Sequence, residues 1–158
     1  MRTASPPEYW EDHANIHLVN PRLFLAGGIT HCPNWQQELI QKLEVVEEGV
    51  IFNPRRENFP IGDPNAALRQ IEWEYHYLNL ATMISFWFSV GSLNPIVLFE
   101  LGTHSMRNIP IFVGVHPDYE RRQDVEIQMS LRRPELRIVY SLEALAKQII
   151  EFCQKGAP

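Results

Sequence analysis

Two glutamates are the residues of this sequence best suited to chemistry, because each lies within a helical segment rich in apolar residues. Glu100 belongs to the segment Asn94–Gly102, in which five apolar residues surround its carboxylate. Burying an unpaired carboxylate is costly, so this side chain should be ion-paired or should face a polar cleft. A carboxylate in a cleft is able to attack a substrate or to exchange a proton with it. A glutamate on the solvent side of the helix fits the spacing equally well.

Glu74 is the second candidate, one predicted helix earlier in the chain. Leu68, Ile71, Tyr75 and Leu78 recur at helical spacing and predict the buried face of that helix. Glu74 lies at the edge of this face, where its carboxylate would be within reach of a neighbouring site. An ordinary solvated helix charge is the alternative.

Other candidates follow the predicted strands. Gly27 and Gly28 end the first strand, where they would let backbone amides approach a ligand. The loop that begins at Asn53 contains Arg55 and Arg56, which could bind a phosphate or a carboxylate through two hydrogen bonds. Pairing with an acidic residue of the same loop, such as Asp63, is the alternative. We predict Asn53, Arg55 and Asp63 as substrate-binding residues.

Several function classes are excluded by what the sequence lacks. The six histidines and two cysteines show no metal-ligand spacing, and no glycine-rich phosphate loop or serine elbow is present. We therefore predict neither a metal nor a cofactor. The net charge of −5 disfavours a nucleic-acid partner. The lack of a signal peptide, of a long apolar span and of a disulfide framework indicates a cytoplasmic protein without a membrane partner.

Five apolar runs alternate with five helical segments across the chain. The predicted strands cover residues 23–26, 50–52, 83–90, 111–115 and 136–140. Strands that are apolar throughout, rather than alternating, are buried on both faces. This pattern predicts an α/β fold with a doubly wound, five-stranded parallel sheet, flavodoxin-like or Rossmann-like. In such sheets ligands bind beyond the carboxyl ends of the strands, where the strand order reverses.

The first 21 residues differ from the rest of the chain. Pro6, Pro7 and Pro21 disfavour regular structure there. We predict an N-terminal arm over residues 1–21 and a single domain over residues 22–158.

The chain resembles the nucleoside 2-deoxyribosyltransferases, and within them the transferase-like branch. The resemblance rests on short pieces in a fixed order, none of them specific alone. These are Phe24–Ile29, Trp35, Asn53–Arg56, Gln70–Glu74, Ile84–Phe88, Phe99–Gly102, Tyr119–Arg121 and Asp124–Val125.

The resemblance implies roles for individual residues. Glu100 falls at the family's nucleophile, and Glu74 at a second carboxylate that positions the nucleophile and the sugar or assists at the base. Asn94 replaces an aspartate that contacts the nucleobase, and an amide is unable to donate a catalytic proton. Phe24 replaces a tyrosine near the nucleophile, which removes a hydrogen bond. The resemblance also implies a homo-oligomer with shared active sites, to which we expect the segment around Asp124 to contribute.

The activity implied is transfer of 2-deoxyribose from a 2′-deoxynucleoside to a free nucleobase through a glutamyl-deoxyribosyl intermediate. Phe24, Phe52, Trp87 and Phe88 could sandwich the base, although core packing explains them equally well. One alternative is a glycoside hydrolase of the same fold, acting on a nucleoside or a 5′-monophosphate. A catalytically silent nucleoside-binding module is the other.

Overall fold

A computed structural model describes residues 1–9, 15–58, 60 and 62–156. Its centre is one parallel sheet of five strands in the order β1-β3-β2-β4-β5. The strands are β1 Arg2–Ala4, β2 Arg22–Gly27, β3 Val50–Phe52, β4 Met83–Phe88 and β5 Ile111–Val115. Every residue of β4 is buried, as expected for an apolar strand covered on both faces. The predicted α/β fold is confirmed.

In the described part of the chain, five α-helices cover the two faces of the sheet. They are α1 Trp35–Lys42, α2 Ala66–Leu80, α3 Pro95–His104, α4 Arg122–Arg132 and α5 Leu142–Gln154. One core cluster joins α2, α3 and α4 to the sheet, and a separate cluster joins α1 and α5 to its other face. The sheet is therefore doubly wound. No helix among the described residues has the length and apolarity to cross a membrane.

Local sequence explains where these helices begin. The Asn34 side chain accepts a hydrogen bond from the Gln37 amide, and the Ser141 side chain accepts one from the Ala144 amide. Both are ordinary N-caps, which satisfy an amide that has no partner within the helix. Pro95 occupies the first turn of α3, where its fixed φ suits a helix and its missing N–H costs nothing.

Two strand predictions need correction. Residues 136–140 do not form a strand: Val139 makes only a single bridge to Gly114. The fifth strand is instead β1, which pairs with β3 at the edge of the sheet. The expectation that the N-terminal arm lacks regular structure is therefore wrong for Arg2–Ala4, because the prolines begin only after this strand. The boundary between arm and domain at residue 21 stays a prediction.

The predicted buried face of α2 is wrong for three of its four residues, and only Leu78 is buried as expected. Leu68, Ile71 and Tyr75 are exposed, whereas Trp73 and Tyr77 are fully buried. The Trp73 and Tyr77 rings contact each other with centroids 4.4 Å apart. The helix is apolar on two sides, and the side with the larger rings faces the sheet because burying them removes more apolar surface from water.

The strand order reverses beside β2. The chain leaves β2 for β3 on one side and then crosses to β4 on the other. The carboxyl ends of β2 and β4 therefore diverge into loops that turn to opposite sides, which leaves a crevice between them.

Candidate active site

A cavity of about 240 Å³ occupies the crevice at the ends of β2 and β4. Its volume lies just below the roughly 300–1,000 Å³ usual for small-molecule pockets. Two carboxylates belong to its wall, one from α2 and one from α3. The lining residues are Phe24, Ala26, Gly27, Gly28, Ile29, Thr30, Pro54, Glu74, Ser92, Asn94, Pro95, Ile96, Val97 and Glu100.

Glu100 is held in an apolar setting. It follows Phe99 in α3, one turn after the buried Val97, so the helix aims its carboxyl between α3 and α2. Among the residues that the structure describes, no group donates a hydrogen bond to this carboxyl. Burial raises the pKa of Glu100 to about 8, and the negative charge of Glu74 adds to the rise.

Glu74 has more polar surroundings. Gln70, one turn earlier in α2, donates a 2.7 Å hydrogen bond from Nε2 to Glu74 Oε1. The same Nε2 donates 2.8 Å to the Pro54 carbonyl, which ties α2 to the loop after β3. Burial raises the pKa of Glu74, but this hydrogen bond and the positive charge of Arg56 oppose the rise. Glu74 is therefore the carboxyl that more readily carries the negative charge.

The two carboxyls form a pair with unequal environments. Around neutral pH the pair holds a proton, which resides mainly on Glu100, because Glu74 has the hydrogen bond and the nearby cation. Pairs whose environments separate their pKa values are typical of acid–base and nucleophilic sites. This cavity can therefore supply both a proton and a carboxylate to a bound molecule.

A tight turn after β2 forms the opposite wall of the cavity. The Gly28 carbonyl accepts hydrogen bonds from Trp35 Nε1 at 2.9 Å and from Gln36 Nε2 at 3.5 Å. A Cβ on Gly28 would collide with the Asn94 amide and with Cys32 Sγ. The glycine therefore permits close packing of the two loops, and both Gly27 and Gly28 belong to the cavity wall.

Asn94 lines the cavity, but its polar atoms are committed within the protein. Its Nδ2 donates to the carbonyls of Ser92 at 3.1 Å and Ser89 at 3.4 Å. Its Oδ1 lies 3.6 Å from Cys32 Sγ, which donates to it. The residue has a φ of 50°, a left-handed conformation that asparagine tolerates better than most residues. Asn94 thus fixes the turn before α3.

Arg55 lies outside the cavity and holds a loop together. Its Nε donates 2.8 Å to Gln36 Oε1, and its Nη2 lies within 3.0–3.3 Å of the carbonyls of Ile29, Cys32 and Pro33. These bonds connect the loop after β3 to the loop after β2. Asn53 Oδ1 accepts from the Arg55 amide, and both residues line a separate polar groove. The structure therefore does not place Asn53 and Arg55 against the carboxylates.

The aromatic candidates divide into one that lines the cavity and others that do not. Phe24 lies at the base of the cavity. Trp87 is buried in the core beneath α1 and α5, and Phe88 is buried with its ring 5.3 Å from that of Tyr119. A base is unable to stack on rings that are covered on both sides. Their predicted place against the substrate is therefore corrected to core packing.

Two acidic residues that we predicted as substrate-binding, Asp63 and Asp124, lie outside the cavity. Asp63 forms an ion pair with Arg69 and accepts a hydrogen bond from the Asn65 amide, at the start of α2. Asp124 forms an exposed ion pair with Arg121 at 2.6 Å and lines a groove between α3 and α4. Neither side chain reaches the cavity of its own chain.

Gln70 is a functional candidate whose role we did not predict, and the effect of Arg56 on Glu74 was not predicted either. Gln70 precedes Glu74 by four residues, a spacing that places two side chains together on a helix and could have indicated the pair. Arg56 acts through its charge on Glu74, which no local pattern reveals. Within the described part of the chain, no three His, Cys, Asp or Glu side chains converge as they would around a metal ion.

The fold is a doubly wound α/β sheet, and two carboxyl groups line the cavity where its strand order reverses. Residues 20–119 match the model of a family described as nucleoside 2-deoxyribosyltransferase like. The match covers more than half of the chain, and the chain belongs to this family. Membership indicates a glycosyl-transferring enzyme. No curated protein sequence matches the chain in a direct comparison.

Proposed function

We propose that the protein transfers 2-deoxyribose between nucleobases by double displacement through Glu100. The observation that carries the proposal is the unequal carboxyl pair in one small cavity. Glu100 has no hydrogen-bond donor among the described residues, whereas Glu74 is fixed by Gln70. A nucleophile needs a free oxygen, and its neighbour needs a fixed position.

The reaction has two steps that share one intermediate. In the first, a Glu100 oxygen forms an ester bond to the anomeric carbon while the bond from that carbon to the base nitrogen breaks. The electron pair of the broken bond stays with the base, which takes up a proton. In the second, a different base attacks the same carbon, loses its N–H proton and displaces Glu100. Two displacements give net retention of configuration.

The pair also supplies what the first step needs. The departing base takes up a proton from solvent, because the amide of Asn94 is unable to donate one and a Glu100 carboxylate that attacks has already lost its own. Once Glu100 has lost its proton, the negative charges favour the oxocarbenium-like transition state of the sugar. A 2-deoxy sugar forms this cation more easily than ribose, because it has no electron-withdrawing 2-hydroxyl. The substrates are therefore 2′-deoxynucleosides and free nucleobases.

Hydrolysis is the competing outcome, since water can open the same ester. For the 5′-monophosphate version, the Arg55 guanidinium gives no support, because it is engaged with loop carbonyls. Transfer predominates when an acceptor base occupies the place of the leaving base and keeps water away from the ester.

The decisive experiment incubates a 2′-deoxynucleoside with and without a different free base and separates the products by chromatography. We expect a new deoxynucleoside with the added base, slow release of 2-deoxyribose without it, and poor turnover of ribonucleosides. Free sugar formed at equal rates in both reactions, with no new nucleoside, would establish the hydrolase instead. No product and simple binding would establish the silent module.

Variants test the assigned nucleophile. Replacing Glu100 with Gln should lower turnover by roughly 10³-fold or more, as for other catalytic nucleophiles. Glu72→Gln is the matched control, because Glu72 is an exposed carboxylate on α2 outside the cavity. Trapping the reaction should add the mass of one deoxyribosyl unit to the peptide that contains Glu100. Substantial activity in the Glu100→Gln variant would refute the mechanism.

A further inference from the structure

The Gly28 carbonyl, in the turn after β2, is bound by side chains that lie on the α1 side of the sheet. Trp35 Nε1 donates to it at 2.9 Å, and Gln36 Nε2 donates at 3.5 Å. Trp35 packs in the core cluster under α1 and α5, whereas Phe24, at the base of the cavity, packs in the cluster under α2 and α3. The Gly28 carbonyl therefore points away from the two carboxyls and towards α1.

The Ile29 amide points in the opposite direction. The peptide bond between Gly28 and Ile29 is trans, and in a trans peptide the C=O and the N–H lie on opposite sides of the bond. Ile29 is half-buried and belongs to the cavity wall. Within the described ranges, no oxygen or nitrogen accepts a hydrogen bond from the Ile29 N–H. Backbone donors in a protein are normally paired, so this N–H is available to a molecule bound in the cavity.

Close packing keeps this peptide in one orientation. The Trp35 ring lies against Gly27, where an added Cβ would come within 2.2 Å of it. The Gln36 side chain is fully buried, and its Oε1 accepts a 2.8 Å hydrogen bond from Arg55 Nε. The indole and the amide that bind the Gly28 carbonyl are therefore themselves fixed. Of these two donors, Trp35 makes the shorter hydrogen bond and thus contributes more to the orientation of the peptide.

The proposed reaction needs a hydrogen-bond donor on the side of the cavity from which the base departs. Glu100 attacks one side of the anomeric carbon, so the base leaves from the other side, towards the turn after β2. The base keeps the electron pair of the broken bond and therefore carries negative charge until it takes up a proton. The Asn94 amide already donates to the carbonyls of Ser89 and Ser92. A donor that is fixed before the reaction stabilises such a developing charge most effectively.

We propose that Trp35 is a positioning residue, which holds the peptide between Gly28 and Ile29 so that the Ile29 N–H donates to the departing nucleobase. The inference rests on the proposed function. The acceptor is an oxygen or a ring nitrogen of the base that gains negative charge as the glycosidic bond breaks. The amide only donates a hydrogen bond: it forms no covalent bond, and the proton that the base takes up still comes from solvent.

A sulfur isostere of tryptophan tests the role of the Trp35 N–H. Site-specific incorporation of 3-benzothienylalanine at position 35 replaces the N–H with sulfur and keeps the shape of the ring. The same replacement of Trp73 is the matched control, because Trp73 is equally buried and its Nε1 donates 2.8 Å to the Glu8 carbonyl, outside the cavity. We expect kcat to fall about tenfold at position 35, less than the roughly 10²–10³-fold loss of a whole donor because the Ile29 amide remains, and to change little at position 73.

Fluorinated substrates distinguish stabilisation of charge on the base from a purely structural effect. Fluorine makes the bases of 5-fluoro-2′-deoxyuridine and 2-fluoro-2′-deoxyadenosine carry negative charge more easily, so their departure depends less on a donor. The decrease in kcat at position 35 should therefore be larger for 2′-deoxyuridine and 2′-deoxyadenosine than for their fluorinated counterparts. Equal decreases within each pair of substrates, or equal decreases at positions 35 and 73, would overturn the proposal.

A binding measurement tests the donor independently of turnover. Proton–nitrogen NMR spectra of the natural chain, labelled with ¹⁵N-isoleucine, are recorded during titration with uracil, adenine or inorganic phosphate. We expect a base to move the Ile29 amide proton downfield, and to move it less after replacement of Trp35. This shift in a chain without turnover would support the donor and refute the proposed transfer. The absence of a shift with either base, or a shift with phosphate alone, would overturn the role of Ile29 and Trp35 even in an active transferase.

Discussion

Gln70 and Glu74 lie one helical turn apart, and the Gln70 amide donates a 2.7 Å hydrogen bond to the Glu74 carboxylate. The same amide nitrogen donates to the Pro54 carbonyl, so a single side chain fixes the carboxylate relative to the loop after β3. This bond accounts for much of the difference between the two carboxyls of the cavity. The difference is what allows one of them to hold a proton and the other to hold a charge.

Replacing Gln70 with Ala should lower turnover about tenfold or more, the scale expected for loss of a hydrogen bond to a charged group. The variant should also raise the pKa of Glu74, because the hydrogen bond favours the ionised form. A pH profile of kcat/KM separates this effect from a structural one. Gln123→Ala on α4 is the control, and a parallel decrease in both variants would argue against a positioning role.

Activity should rise with pH through about 8, the pKa of the Glu100 carboxyl in the free enzyme. Below this pH most of the enzyme carries a protonated nucleophile, and above it the carboxylate predominates. The measurement is kcat/KM for a deoxynucleoside between pH 5.5 and 9.5. A profile that is flat from pH 5.5 would mean that the carboxyl titrates at its ordinary value.

The free energy of unfolding should decrease with rising pH, whereas activity should increase. Folding raises the pKa of Glu100 from 4.5 to about 8, so the folded protein retains a proton that the unfolded chain releases within this window. The free energy of unfolding therefore falls as pH rises from about 4.5 to 8. Glu100→Gln removes the buried charge and should be more stable than the natural chain at pH 8.5, by on the order of 2 kcal/mol. At pH 5 the difference should be small, and urea unfolding at the two pH values tests this.

Arg55 should stabilise the loop after β2 through its hydrogen bonds, and its positive charge alone should contribute little to stability. Arg55→Ala should lower the free energy of unfolding by about 1–3 kcal/mol, because several carbonyls lose their donor. Arg55→Lys should restore little of this free energy, since a lysine lacks the planar guanidinium group that donates to several acceptors. Arg132→Ala, at an exposed arginine on α4, provides the comparison in thermal unfolding. Full recovery with lysine would show that only the charge is required.

Gly28 and Gly102 should respond oppositely to alanine. A methyl group at Gly28 would collide with the Asn94 amide and Cys32, and should cost about 1–3 kcal/mol. At Gly102, in α3, no atom beyond the helix's own backbone and the two adjoining residues lies within 4 Å of the added Cβ. Alanine there should stabilise the chain by roughly 0.5–1 kcal/mol, because helical glycine is unfavourable. Denaturant unfolding of both variants checks the contrast.

Apolar periodicity predicted the sheet and the helices but was insufficient to orient α2. Leu68, Ile71 and Tyr75 have the spacing of a core face, and so do Trp73 and Tyr77. Spacing alone does not distinguish a stripe that covers the chain's own sheet from one that remains exposed. The strand β1 was missed for a related reason, since three residues carry no periodicity.

A site residue was predictable where a charged side chain occurs within an apolar segment, as Glu100 does. It was not predictable where the outcome depends on distant partners. Arg55 is chemically suited to bind an anion, but carbonyls more than twenty residues away use its donors. Trp87 follows a strand pattern that indicates burial without showing which side of the sheet receives the ring.

The buried carboxyl pair has a consequence for inhibitors. A ligand that mimics the positively charged sugar would bind the ionised pair more tightly than the protonated one, and by reciprocity its binding would expel a proton from the pair. Its dissociation constant should therefore increase about tenfold for each unit by which the pH falls below about 8, while that of a neutral sugar should hardly change. The preference for a charged over an uncharged ligand therefore depends on pH. Binding of the charged ligand should release a measurable proton, and binding of the uncharged ligand should not.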